Sequence, residues 1–99
     1  MYRGNGRFKF RYGVFGTKVG QMRKPGGVCY DRAGRLYVTD VLNHRVHVLD
    51  GDGKLVRMIA VKKVCGKFLP PPDMCAITAQ GDLLLANEEG FVKILRISF

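Results

Sequence analysis

Acid is what this sequence has least of. Against 17 lysines and arginines stand only 8 aspartates and glutamates, a net charge of +9 in 99 residues. A chain so poor in carboxylates suits a polyanionic or acidic partner, although charge alone names none. Cysteine is scarce as well. Cys29, Cys65 and Cys75 are odd in number and none sits in a CxxC pair. That excludes a RING-like array of zinc ligands and argues against a disulfide scaffold, so reduced, buried thiols in a cytoplasmic chain are expected. No apolar run approaches the roughly 20 residues of a membrane span. The basic start, MYRGNGRFKFRYG, has no apolar stretch behind it, as a secretory signal needs. No membrane partner is expected. A 3.6-residue hydrophobic period is also missing from every window of about eleven residues, so no helix is expected.

What is present is an ordinary globular composition, 46% hydrophobic and 25% charged, and an internal repeat. Pro25-Gly26-Gly27-Val28-Cys29-Tyr30-Asp31 and Gly34-Arg35-Leu36-Tyr37-Val38-Thr39-Asp40 return 47 positions later as Pro72–Thr78 and Gly81–Asn87. Arg45-Val46-His47-Val48-Leu49 returns 46 positions later as Phe91-Val92-Lys93-Ile94-Leu95. The lost residue falls in a loop, where deletions are tolerated.

Each unit reads as short strands rich in Val, Leu, Ile and Tyr, near 28–31, 36–40, 45–50 and 55–60, then 75–78, 83–87 and 92–97. Asp31–Gly34, Asp50–Gly53, Gln80-Gly81 and Glu89-Gly90 supply turns. Asn43 is suited to a left-handed turn conformation between the second and third strands. Four short strands per roughly 45 residues is the arithmetic of a β-propeller blade. The fold expected is therefore all-β, a partial propeller of about two antiparallel blades. Residues 1–15 give a basic segment and an outer strand, Phe8–Phe15, of a preceding blade. Residues 16–60 give a whole blade, and 61–99 a second that stops after three strands. Two blades cannot close a ring, so the chain reads as a fragment or truncated product whose partners include the remaining blades of a longer parent. Its blade faces would be incompletely covered, at Val46, Val48, Ile94 and Leu95 among other places.

The first unit, with Gly27–Asp31, Gly34–Asp40 and Asn43-His44-Arg45-Val46-His47-Val48-Leu49-Asp50, closely resembles an NHL repeat. Phe15-Gly16 and Gly20 are similar to the motif that usually precedes one. In the second unit Thr78 stands for Asp31, Asn87 for Asp40, and Glu88–Phe91 for the loop ending at Arg45. The resemblance implies a six-bladed propeller when complete. It also implies the C-terminal region of a TRIM-type ubiquitin ligase, binding RNA or proteins. Some amidating lyases use a related propeller with metal held by its inner strands, but Val28–Asp31 and Cys75–Thr78 contain no His.

Asp40, Asn43, His44 and Arg45 form the sharpest cluster. They read first as a local structural motif, with Asp31, in which Asp40 accepts loop hydrogen bonds or pairs with Arg45. A contact site is the rival reading. His44 and His47 fall on opposite faces of a strand and make no joint metal site. Asp31, Asp50 and Asp52 lie in turns and do not match a calcium loop. The glycines lack the Lys-Ser/Thr and helix of a phosphate loop. No catalytic residue, metal or cofactor is expected. Pro70-Pro71-Pro72 is a rigid lead-in to the second inner strand, or a short polyproline ligand.

Charge falls unevenly on the loops. One face of the expected blades takes 16–24, 41–45, 61–71 and 88–90. It carries Lys18, Arg23, Lys24, Arg45, Lys62, Lys63 and Lys67 against Glu88 and Glu89, a net of +5. The opposite loops sum to −1. Single-stranded RNA is the first partner this suggests, with His44, Phe68 and an unpaired Arg45 available to stack on bases. An acidic protein surface is the second.

Overall fold

The protein is described by a computed structural model over residues 12–66, 68 and 70–99. Residues 8–11 of the expected outer strand, and Lys67, lie outside the described residues.

A short parallel pair joins β1 (Val14–Phe15) to β2 (Gln21–Met22). The first main sheet follows in chain order: β3 (Pro25–Tyr30), β4 (Leu36–Asp40), β5 (Arg45–Leu49) and β6 (Leu55–Ala60). The second holds β7 (Met74–Ile77), β8 (Leu83–Ala86) and β9 (Val92–Leu95). Both are antiparallel meanders. The expected strand order holds, with ends displaced by up to three residues.

The turns form as their residues dictate. Asp31 accepts at one carboxylate oxygen from the N–H groups of Ala33 and Arg35, while Gly34 takes a positive φ of 83°. Asp50 repeats the arrangement with Asp52 and Lys54, and Thr78 closes on Asp82. The turn aspartates thus act on their own backbone.

Strand alternation then divides each sheet. Tyr37, Val46, Val48 and Ile59 of the first sheet meet Cys75, Leu83, Leu85 and Leu95 of the second, with Val61 and Phe68 from the link filling the same core. Three of the four residues expected to be poorly covered, Val46, Val48 and Leu95, are buried in this seam, whereas Ile94 points the other way and is 61% exposed.

Two elements depart from expectation. Val61–Cys65 forms one turn of α-helix, α1, closed where Gly66 N–H donates to Lys62 O. Five residues are too few to impress a hydrophobic period on the sequence. Between β4 and β5, Val41–Asn43 makes a 3-10 turn, and His44 rather than Asn43 takes the left-handed conformation, at φ 53°. Among the described residues no helix is long and apolar enough to cross a membrane.

Candidate functional site

The site grows from one buried carboxylate. Asp40 ends β4 with no solvent exposure. One oxygen accepts from the backbone N–H groups of Arg23 (2.9 Å) and Lys24 (3.4 Å). The other accepts from Asn43 Nδ2 (2.8 Å), Arg45 Nε (3.2 Å) and His47 Nε2 (3.0 Å). Burial would raise this carboxyl's pKa, but the bonds from Arg23, Asn43, His47 and Lys24 outweigh it and hold it below the ordinary range.

Arg45 extends the clamp. Its terminal nitrogens donate to the carbonyls of Thr17 (3.0 Å), Lys18 (2.8 Å) and Gln21 (2.6 Å), and Asn43 donates to Gly16 O. The link 16–24 is thereby tied to the β4–β5 turn. Val61 N–H donates to His44 O, bringing the start of α1 to the same place. Arg45 is therefore not free to stack on a ligand; its planar fork is occupied by the fold. Phe68, the other expected stacking residue, is 4% exposed within the core and beneath Lys93. Neither offers a surface to a base.

The backbone of Lys18, Arg23 and Lys24 meets the clamp, and Lys62 of α1 acts with Arg23 on His44, whereas Lys63 lines a cleft between β6 and Arg96-Ile97. The five cations are exposed and none makes an ion pair among the described residues. The acids that do form ion pairs are Asp40, buried in the clamp, and Asp31 and Asp82, matched with Arg35 and Arg96 at the opposite turns. Burial lowers the pKa of His44, and Lys62 and Arg23 lower it further. Two of the five cations are thus felt at His44.

Two features escaped the sequence reading. His47 is fully buried and completes a relay: Tyr12 O–H donates to Nδ1 at 2.7 Å, and Nε2–H donates to Asp40. Its signal was a lone polar residue on a buried face of β5. The second is Phe91. In the second blade, Asn87 does the work of Asp40, accepting from the N–H groups of Glu89 and Phe91 and donating to Pro70 O. A neutral amide needs no arginine partner, so Phe91, at the Arg45 position, is left exposed. Among the described residues no group of three or more His, Cys, Asp or Glu could hold a metal.

The buried histidine makes stability depend on pH. Burial lowers the pKa of His47 despite the opposing hydrogen bond and charge of Asp40, and His44 is also lowered. Below the ordinary value of 6.5 the unfolded chain takes up protons that the folded chain refuses. Stability is then retained above that pH and lost beneath it, by at most ~1.4 kcal/mol per pH unit for each histidine. Urea midpoints measured from pH 8 to pH 5 should be level at first and then fall. A flat series would remove His47 from the clamp.

The sheets define the class first. A solved structure titled Streptogramin B lyase structure superposes with a TM-score of 0.51 at 13% identity, over 76% of this chain and 27% of that one. At such identity the likeness shows the fold alone, and the fold is part of a β-propeller. The sequence adds a family likeness: residues 22–49, from β2 through β5, match the family model NHL repeat. It is 41% identical over 56 residues to RING finger protein nhl-1 of Caenorhabditis elegans, covering 57% of this chain and 6% of that protein. Against Protein brain tumor of Drosophila melanogaster it is 28% identical over 81 residues, covering 78% and 8%. Against Protein lin-41 of Caenorhabditis elegans the figures are 38% over 45 residues, 46% and 4%. The chain spans less than a tenth of the length of these relatives.

Proposed function

We propose that this chain is a non-enzymatic, cytoplasmic binding module, a piece of a longer propeller in which 16–60 and 61–99 are two blades and 1–15 belongs to the one before. Its basic loop face takes single-stranded RNA. The observation that carries this is the set of five exposed cations, Lys18, Arg23, Lys24, Lys62 and Lys63, none in an ion pair among the described residues, on a backbone fixed by Asp40 and Arg45. Lys67 belongs to the same set by its place in the link. Phosphates meet these side chains and displace counterions. Half-buried His44 and exposed Phe91 offer rings on which a base can stack.

Fluorescence anisotropy with a labelled single strand tests it. Neutralising about four phosphates gives a roughly 50-fold loss of affinity between 50 and 200 mM salt. Changing Lys62, Lys63 and Lys67 to Glu abolishes binding at low salt. Binding also raises the pKa of His44, because phosphate opposes the cations that now depress it; proton NMR of the ring reads this. Unchanged affinity in the triple variant sinks the RNA reading.

One observation favours a second reading. Glu88 and Glu89 are exposed beside Phe91 and form no ion pair among the described residues. They would repel a phosphate backbone crossing to the second blade. A protein client of mixed charge, recognised on behalf of a TRIM-type ubiquitin ligase, fits that loop better. It gains if RNA fails to bind even at low salt.

A further inference from the structure

We propose that Cys29 and Cys75 form an oxidisable dithiol site, at which a peroxide joins the two sulfurs and so links β3 to β7 across the buried seam. Cys29 lies on the first strand of the first main sheet and Cys75 on the first strand of the second. The two strands run close together, since a Cβ added at Gly27 would lie 3.0 Å from Cys75 N. Two residues further along β3, Cys29 stands opposite Tyr37 of β4 in the strand register. Cys75 Sγ lies 3.5 Å from the carbonyl oxygen of that same Tyr37. The sulfur of one cysteine is thus seated against the backbone that flanks the other. Cys29 N–H donates to the Cys75 sulfur, and the two thiols are within hydrogen-bond reach of each other. Both pack into one core, and neither is in a disulfide.

The two sulfurs are unequal, and the inequality sets the order of events. Cys75 is 8% exposed, whereas Cys29 is half-buried and open to a small reagent. The single Cys75 S–H can turn from Tyr37 O to the Cys29 sulfur. That hydrogen bond holds the Cys29 thiol below its ordinary value, against burial and the charge of Asp31. The same bond, with burial, pushes the Cys75 thiol up. Cys29 is therefore the nucleophile and Cys75 the thiol that resolves its product. Cys65, at the end of α1, makes the comparison: burial pushes its thiol up as well.

The chemistry balances with one hydrogen peroxide. The Cys29 thiolate attacks a peroxide oxygen; an S–O bond forms, the O–O bond breaks, and hydroxide leaves. Cys75 sulfur then attacks Cys29 sulfur; the S–S bond forms and the S–O bond breaks. The second hydroxide departs with the Cys75 proton as water. The sulfur pair gives up two electrons and the peroxide takes them, so two thiols and one peroxide become one disulfide and two waters. The new bond closes the chain from 29 to 75 into a loop that contains most of both sheets. A closed loop of that length restricts the unfolded chain and fastens one sheet to the other.

Mass spectrometry of the whole 99-residue chain, treated with hydrogen peroxide at low protein concentration, tests this. The expected mass is lower by two hydrogens, and dithiothreitol restores it. A proteolytic map without reductant joins the peptide holding Cys29 to the one holding Cys75, at a rate independent of protein concentration. Cys65→Ser forms the link like wild type. Cys29→Ser forms none, and Cys75→Ala leaves a sulfenic acid at Cys29 that dimedone traps several-fold faster than any at Cys65. The melting temperature of the oxidised wild type rises by about 10 °C over the reduced form. The wild-type map and melt decide the matter without the variants, should Cys75→Ala fail to fold. A wild-type map lacking the 29–75 link, oxidation that reaches Cys65 first, or a link that leaves the melting temperature unchanged or lower overturns the proposal.

Discussion

Asp40→Ala should unfold the first blade under conditions in which the native chain is folded. The carboxylate is fully buried and accepts five hydrogen bonds. Removing one partner of a buried charged cluster costs about 3–5 kcal/mol, a large part of what a small domain has to lose. Arg45 keeps its three carbonyl partners. His47 loses a partner in a space water does not reach, and half-buried Asn43 loses one of its two acceptors. The second blade provides the control. Asn87→Ala removes hydrogen bonds from a neutral network and strands no charge, at about 1–3 kcal/mol. Urea unfolding of both variants decides the matter. Equal losses would show that charge burial is not what makes Asp40 critical.

Gly27→Val should be nearly as damaging, for a steric reason. A Cβ added at Gly27 lies 2.9 Å from Met74 Cα and 3.0 Å from Cys75 N, and one at Gly26 lies 2.8 Å from Asp73 O. These are backbone atoms of β7 and its approach, with no rotamer to move away. The inner strands must separate, drawing Cys75 and Leu85 out of contact with Tyr37. Overpacking of this kind costs typically 1–3 kcal/mol. Gly51→Ala, where nothing lies within 4 Å, should leave the melting temperature nearly unchanged. If the two variants melt alike, the seam is not closely packed.

The strands were legible because two kinds of signal agreed: apolar alternation, and Asp, Asn or Gly at the turns. Asp31 and Asp50 announced their turns because an aspartate bonds the backbone two and four residues on wherever it begins a tight reversal. The clamp was legible only in part. Asp40 with Arg45 is a local pairing that spacing suggests. The reach of Arg45 to residues 17–21, and the Tyr12–His47–Asp40 relay, depend on segments up to 35 residues apart in the chain. No local pattern encodes such contacts. Phe68 looked like a loop residue because it stands between Gly66-Lys67 and the run Pro70–Pro72, but the link folds back over β9 and carries the ring inside. Phe91 was overlooked because its exposure is decided at Asn87, four residues earlier.

The two loops also constrain the order in which such blades diverge. Replacing Arg45 by a phenylalanine while Asp40 remains would deprive a buried carboxylate of its cation. Replacing Asp40 by asparagine first leaves the guanidinium with its three backbone carbonyls and removes the charge that required it. The acid must therefore be lost before the base. A lineage moving from the first loop's chemistry to the second's has one passable route and one that passes through an unfolded intermediate. Blades that pair asparagine with arginine are the stepping stones to be sought among related repeats, and blades that pair aspartate with phenylalanine should be missing.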